Sequence, residues 1–448
     1  MKDISITKAP KGRERFKWLG PAFIWMLSAA GSGELLFTPR IASQYGYTLI
    51  WALLIAVAMK WFINREIGRY TVCTGATFFR GLATLQNNRW MLWLIIVPQL
   101  VVAVATIAGL AGAAATAIVE IIDMALWLPA VLLIIFTASI IASGKFSTVE
   151  KLTTVLAIII SLSILTAALT TLPDMKKIGQ GFIPTIPAHT KVDEVLPWLG
   201  FMLAGAAGLM WFSYWTAARG YGAASLKQAD PIRPADLPED QRAELKAWIK
   251  HMTIANTLAV VGALVIAFAF LILGAELLQP QGLVPEENKV AEVLGQLLGG
   301  IWGQIGFWFM IGAVFITFMS TMLSDQDGFG RMFADGTAIL FGRQNVSSRW
   351  NDRKFLKKAF VWILLGALPI VTYLLAGEPV GLLKLAGVIE AAHIPVVTGL
   401  ILYLNKRKLP RDLQPSGFIF GATVMAGLFF ALFAIVYILQ LVGIISLS

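Results

Sequence analysis

Charge is scarce in this sequence of 448 residues: 14% of positions are Asp, Glu, Lys or Arg, against about 25% in an average soluble domain. That alone argues against a soluble fold. Cysteine is scarcer still. The single Cys73 excludes a disulfide within the chain and any cysteine-cluster metal site. No phosphate-binding loop ending in Lys-Ser/Thr is present, which argues against ATP-driven pumping by this chain. No motif for hydrolysis or covalent chemistry appears either, so the chain reads as a non-enzyme with no cofactor. No cleavable signal peptide is visible; a basic polar tail, residues 2–17, leads directly into a full-length apolar span.

Apolar residues fill the space, at 57% of the chain and a mean hydropathy of +0.74. Residues 91–119 carry no charge at all, and a spanning helix needs roughly 20 such residues. The pattern predicts an all-α integral membrane protein with eleven spans, near 18–43, 47–72, 91–120, 126–144, 150–172, 196–218, 250–277, 300–325, 357–376, 381–404 and 416–446. The stretch 227–250 reads as a proline-rich loop and a short amphipathic helix leading into span seven.

The net charge of +10 is not spread as a nucleic-acid surface would require. With the N-terminus inside, most of the 36 Lys and Arg residues fall in cytoplasmic segments, and only Arg40, Lys176, Lys177, Lys191 and Lys289 fall outside. The positive-inside rule then places the N-terminus in the cytoplasm and the C-terminus on the far side of the plasma (inner) membrane. The expected partners are the lipid bilayer and a small solute, with no nucleic acid, and the chain is expected to act as a monomer.

The spans show a weak duplication. Span one is interrupted by Ala29-Ala30-Gly31-Ser32-Gly33 and span six by Ala204-Gly205-Ala206-Ala207-Gly208. An odd number of spans per repeat inverts the second copy, and glycine-broken spans at matching positions of inverted halves point to a transporter's binding site. Unwound backbone at that depth is tolerated only where it lines a cavity. The competing reading is close helix packing by small residues.

Gly20-Pro21-Ala-Phe, then seven intervening residues, then Gly31-Ser-Gly-Glu34, resembles the first span of the NRAMP (natural resistance-associated macrophage protein) metal transporters, where Gly-Pro-Gly-Phe leads at the same spacing to Asp-Pro-Gly-Asn. Span two with Trp51, Arg69 and Thr74-Gly75 is similar as well, as are PWLGFMLAGA with Tyr214, SDQDGFGRMF at 324–333 and LLKLAGVIEAAHIP at 382–395. The resemblance covers roughly residues 16–404. It implies a leucine-transporter-type five-plus-five inverted repeat with discontinuous helices one and six. The first repeat would span 18–172, an extracellular loop 173–195, the second repeat 196–404, and a linker with an eleventh helix 405–448, after a cytoplasmic tail at 1–17.

The inherited chemistry differs. The family's metal site uses the Asp and Asn of span one and a backbone carbonyl and Met of span six. Here the Asp position is Gly31, the Asn position is Glu34, and the Met, Pro and His positions are Leu209, Met210 and Trp211. The span-three acidic positions are Gln99, Thr106 and Gly109, and the span-ten Gln is Gly387. The expectation is a divalent-metal transporter with an altered site, favouring hard ions such as Mg(II) or Mn(II), with proton coupling lost or rerouted. The alternative is a carrier of a small organic zwitterion or cation. A non-transporting sensor on this fold is a third possibility without positive support.

Candidate substrate-binding residues are Gly31, Ser32, Gly33, Glu34, Ala206, Leu209, Met210 and Trp211, with Glu34 as the metal ligand. Charge inside a membrane is costly and usually functional, which makes Lys60, Asn64, Glu390, His393 and Asp325 gating or coupling candidates. Lys60 is expected to approach Glu34, either as a substrate or proton site or as a structural ion pair. Lys384 is expected to snorkel outward. Asp325 and Asp327 are expected at the cytoplasmic end of span eight, as a gate or a solvated helix end.

Overall fold

The computed structural model describes residues 6–19, 31–85, 89–144, 146–187, 190–228, 230–342, 349–442 and 444. The Gly20-Pro21 opening of span one and the Ala29-Ala30 part of its break lie outside the described residues, as does the Ser32 side chain. All regular structure among the described residues is helical.

A π-helical turn, Ser32–Phe37, leads into α1 (Thr38–Tyr45). Then follow α2 (Ile50–Thr74), α3 (Arg89–Val119), α4 (Trp127–Ser143) and α5 (Phe146–Thr170). Span six is two helices, α6 (Val192–Phe201) and α7 (Ala206–Arg219). After it come α8 (Glu239–Leu273), α9 (Val290–Phe341), the pair α10 (Arg353–Trp362) and α11 (Leu368–Ala376), then α12 (Pro379–Lys408) and α13 (Gly417–Leu441).

Seven of the described helices are long and apolar enough to span a membrane, and an eighth is the bent pair Thr154–Thr170 and Met175–Gly181. The remaining three expected spans escape that test for physical reasons. Span one begins outside the described residues, α2 carries Lys60, Arg65, Glu66 and Arg69, and α4 has only 17 residues. The amphipathic segment expected before span seven is continuous with it in α8.

The centre of the bundle is α3, packed against α9 and α12. Its second half is a run of Ala, Gly and Thr, which lets neighbouring backbones come close. A Cβ on Gly112 would lie 2.4 Å from the Tyr373 ring.

Span eight departs from expectation. Its helix does not stop near residue 325 but continues to Phe341. At the other end Gly303, with φ +61°, splits off an N-terminal arm, a conformation open to glycine and strained for other residues. Asp325 therefore sits mid-way along the segment 304–341, with roughly 24 Å of helix beyond it at 1.5 Å per residue. The polar run after it is paired rather than solvated. Asp327 is bound by Arg331 and Lys357. Asp335 meets Arg353 at 2.6 Å, Arg80 at 3.7 Å and the Tyr214 hydroxyl at 3.2 Å.

Candidate substrate site

The break in span six lies at Met202–Gly205, slightly earlier than the Ala204–Gly208 cluster suggests. Leu203 adopts φ +67°, an uncommon conformation for a non-glycine residue, and helix resumes at Ala206. Ala206, Leu209, Met210 and Trp211 are thus buried helical residues of α7 rather than unwound backbone.

Two buried charges hold this break. Glu34 Oε1 accepts a hydrogen bond from the Leu203 amide at 3.0 Å. Lys60, fully buried on α2, donates to the carbonyls of Gly200, Met202 and Ala204 at 2.7, 2.6 and 2.7 Å. Lys60 thus approaches Glu34 as expected from sequence, but of the two alternatives the direct ion pair is not formed. They are within electrostatic reach of each other, but backbone peptides stand between them. The physical reason is the helix end: unwound carbonyls need donors, and an ammonium with three N–H groups supplies them. Glu34 Oε2 has no hydrogen-bond partner. Asn64, on the same helix, does not join Lys60; its amide donates to Asn256 Oδ1 at 2.7 Å.

A second carboxylate caps the restarted helix. Glu390 Oε2 on α12 accepts from the Ala207 amide at 3.1 Å and from Gln99 Nε2 at 3.3 Å, the arrangement a helix N-terminus favours. Gly205 makes room for it, because a Cβ there would lie 2.6 Å from Glu390 Cδ. Gln99 also contacts His393 Nδ1 at 2.9 Å, so an amide bridges Glu390 and His393. His393 in turn lines an apolar crevice with Leu94, Val396 and Tyr437.

The third carboxylate, Asp325, is the unusual one. It is 9% exposed, and its side chain has no hydrogen-bond or ion-pair partner among the described residues. Glu390 is within electrostatic reach of it. Its position follows from the stripe Thr321, Asp325, Gly328 on one face of α9. Gly31 packs against Thr321 so tightly that a Cβ would lie 2.2 Å from Thr321 Oγ1, and Gly328 packs on the Trp211 ring. Asp325 thus lies on the face of α9 between the contacts to Gly31 and to Trp211, whose indole N–H is buried without a partner. Trp211 also meets Phe329 edge-to-face, with centroids 4.8 Å apart. Among the described residues no three His, Cys, Asp or Glu side chains are gathered as a ready-made metal cage.

At one end of α6, Arg40 grips Glu194 through two bonds of 2.8 and 2.9 Å, and Lys384 completes the group. Lys384 is thus engaged with span six instead of snorkelling. Sequence reasoning missed this cluster; the signal was Glu194, an acidic residue just before an apolar run.

A span broken at Met202–Gly205 beside the buried carboxylates Glu34 and Glu390, in a bundle whose described residues are all helical, is the architecture of a secondary transporter. The sequence profile of the natural resistance-associated macrophage protein-like (Nramp) family matches residues 22–443, and the chain belongs to that family. An uncharacterized protein of Pasteurella multocida is 20% identical over 435 residues, covering 96% of this chain and 93% of the relative. The divalent metal cation transporter MntH of Deinococcus radiodurans is 26% identical over 186 residues, covering 40% of this chain and 42% of its own. Among solved structures, a mutant of the Eremococcus coleocola manganese transporter aligns with a TM-score of 0.70 at 14% identity, covering 98% of this chain and 90% of that one. Mhp1, a nucleobase-cation-symport-1 family transporter, aligns with a TM-score of 0.56 at 12% identity, covering 94% and 92%. The fold is that of these transporters.

Proposed function

We propose that this protein is a secondary transporter of a hard divalent cation, and that Asp325 supplies the principal carboxylate. The observation that carries this reading is the unpartnered, buried Asp325 beside Gly31. Where family members carry a span-one carboxylate, this chain has a glycine pressed against Thr321; one turn along the same helix face stands a carboxylate without a partner. Asp325 and Glu390, with retained waters, would supply an all-oxygen set suited to Mg(II) or Mn(II). A thioether-dependent preference for softer ions is not expected of such a set.

Glu34 is taken as support rather than ligand, because one of its oxygens holds the Leu203 amide between the carbonyls that Lys60 caps. The test is uptake of Mn(II) and Mg(II) by proteoliposomes, alongside calorimetry on purified protein. Asp325→Asn should abolish saturable uptake while Glu34→Gln retains it; the reverse pattern would overturn the assignment.

The buried, unpartnered Trp211 indole N–H favours one second reading, a small zwitterion whose ammonium meets Asp325 and whose carboxylate meets Trp211. Heat from amino acids or betaines, with none from divalent ions, would select it.

A further inference from the structure

The Lys60 ammonium occupies a complete cage. Its three hydrogens are directed to three carbonyls at the unwound C-terminal end of α6, and the Phe430 ring of α13 lies nearby, its centroid 5.4 Å from Nζ. Carbonyls freed at a half-helix C-terminus are where broken-helix transporters hold monovalent coupling ions, and the negative end of the helix dipole favours any cation there. An aromatic face adds cation–π attraction.

We propose that this cage is a monovalent-cation site which the chain fills with its own lysine. The break then has its cation permanently attached, so no dissolved Na⁺ or K⁺ is needed to hold the two halves of span six. Four observations converge on this. The carbonyl contacts are all 2.6–2.7 Å, Lys60 is fully buried, the bends at Met202 and Leu203 turn alternate carbonyls toward one point, and Glu34 secures the intervening amide. The site is separate from Asp325, so its fate does not depend on the identity of the transported solute.

The experiment removes the tethered cation and offers free ones. Lys60→Ala in detergent should lose roughly 5–10 °C in Tm, since three buried carbonyls lose their donors. Ammonium or methylammonium chloride should recover at least half of that loss saturably, potassium or sodium less, and choline none at equal ionic strength. The wild-type Tm should not distinguish these salts. Lys60→Met, which keeps the stem but lacks the charge, should show the same deficit without recovery, because its side chain fills the cage. If Lys60→Ala yields no folded protein, the same salts are added during its extraction; ammonium-selective recovery of a monodisperse peak supports the proposal. Equal response to all salts, or no response to any, overturns it. So would a wild-type protein whose Tm depends selectively on Na⁺ or K⁺.

Discussion

At the residue scale, the breaks are governed by what each polar side chain has left to bind. Glu390 is committed to the Ala207 amide and Gln99, and Gly205 leaves just enough space for it. Gly205→Ala would drive a methyl into the carboxyl carbon and displace that cap. The expected cost is about 1.5–3 kcal/mol for a charged hydrogen bond, read as a lower Tm and weaker divalent binding in the same variant. Restoring a family-like carboxylate is a sharper test. Gly31→Asp alone should not fold well, because its Cβ would overlap Thr321. Paired with Thr321→Gly it should fold, and should support uptake even when Asp325 is Asn. Failure of the triple variant to transport, once folded, would count against equating the two carboxylates.

At the scale of elements, two polar clusters tie helices that must move against one another in alternating access. Arg40, Glu194 and Lys384 join α1, α6 and α12 on one side. Asp335 joins α9 to α7, to α10 and to the short helix Phe78–Ala83 on the other. Breaking one partner of a buried pair costs about 3–5 kcal/mol, so Glu194→Gln should shift the population toward an outward-open form. A cysteine at position 321 should then react at least about tenfold faster with an impermeant thiol reagent added outside, equivalent to ~1.4 kcal/mol; an unchanged rate would remove the lock from the mechanism. The sequence did not make these clusters visible. Hydropathy falls away after Leu323 and placed Asp325 at a membrane edge. The residues that neutralise the following turns, Arg80, Arg353 and Lys357, are distant in sequence, and only the folded chain brings them to α9. The break in span six was legible to within a few residues, because an unbroken span has no use for paired glycines at mid-depth. Its chemistry was less so: Lys60 binds backbone, and backbone carries no signature in a sequence pattern.

At the scale of the molecule, the positive-inside distribution makes a prediction about sidedness. A reporter fused after Leu441 should be active only on the outer face, whereas one fused before Ile6 should be active inside; matching activity on one side would require an even number of spans. Family membership and the helical bundle are insensitive to this outcome, since they follow from the profile match over residues 22–443. The N-terminal segment is part of the packed structure. Its Ile6 and Ala9 amides donate to Gln241 and Glu244 on α8, and the Trp248 indole donates to the Thr7 carbonyl.

The placement of Phe430 bears on the order in which the protein is made. Lys60 and the carbonyls it caps are synthesised in the first half of the chain, but the ring that covers the ammonium arrives with α13. Chains fold progressively from the N-terminus as they leave the ribosome. Until α13 is inserted, the joint of span six is open on one flank to lipid and stray water. Nascent chains stalled before residue 430 should therefore be cut by a protease at Met202–Gly205 more readily than released ones, and span eleven would act as the final closure of a joint laid down much earlier in translation.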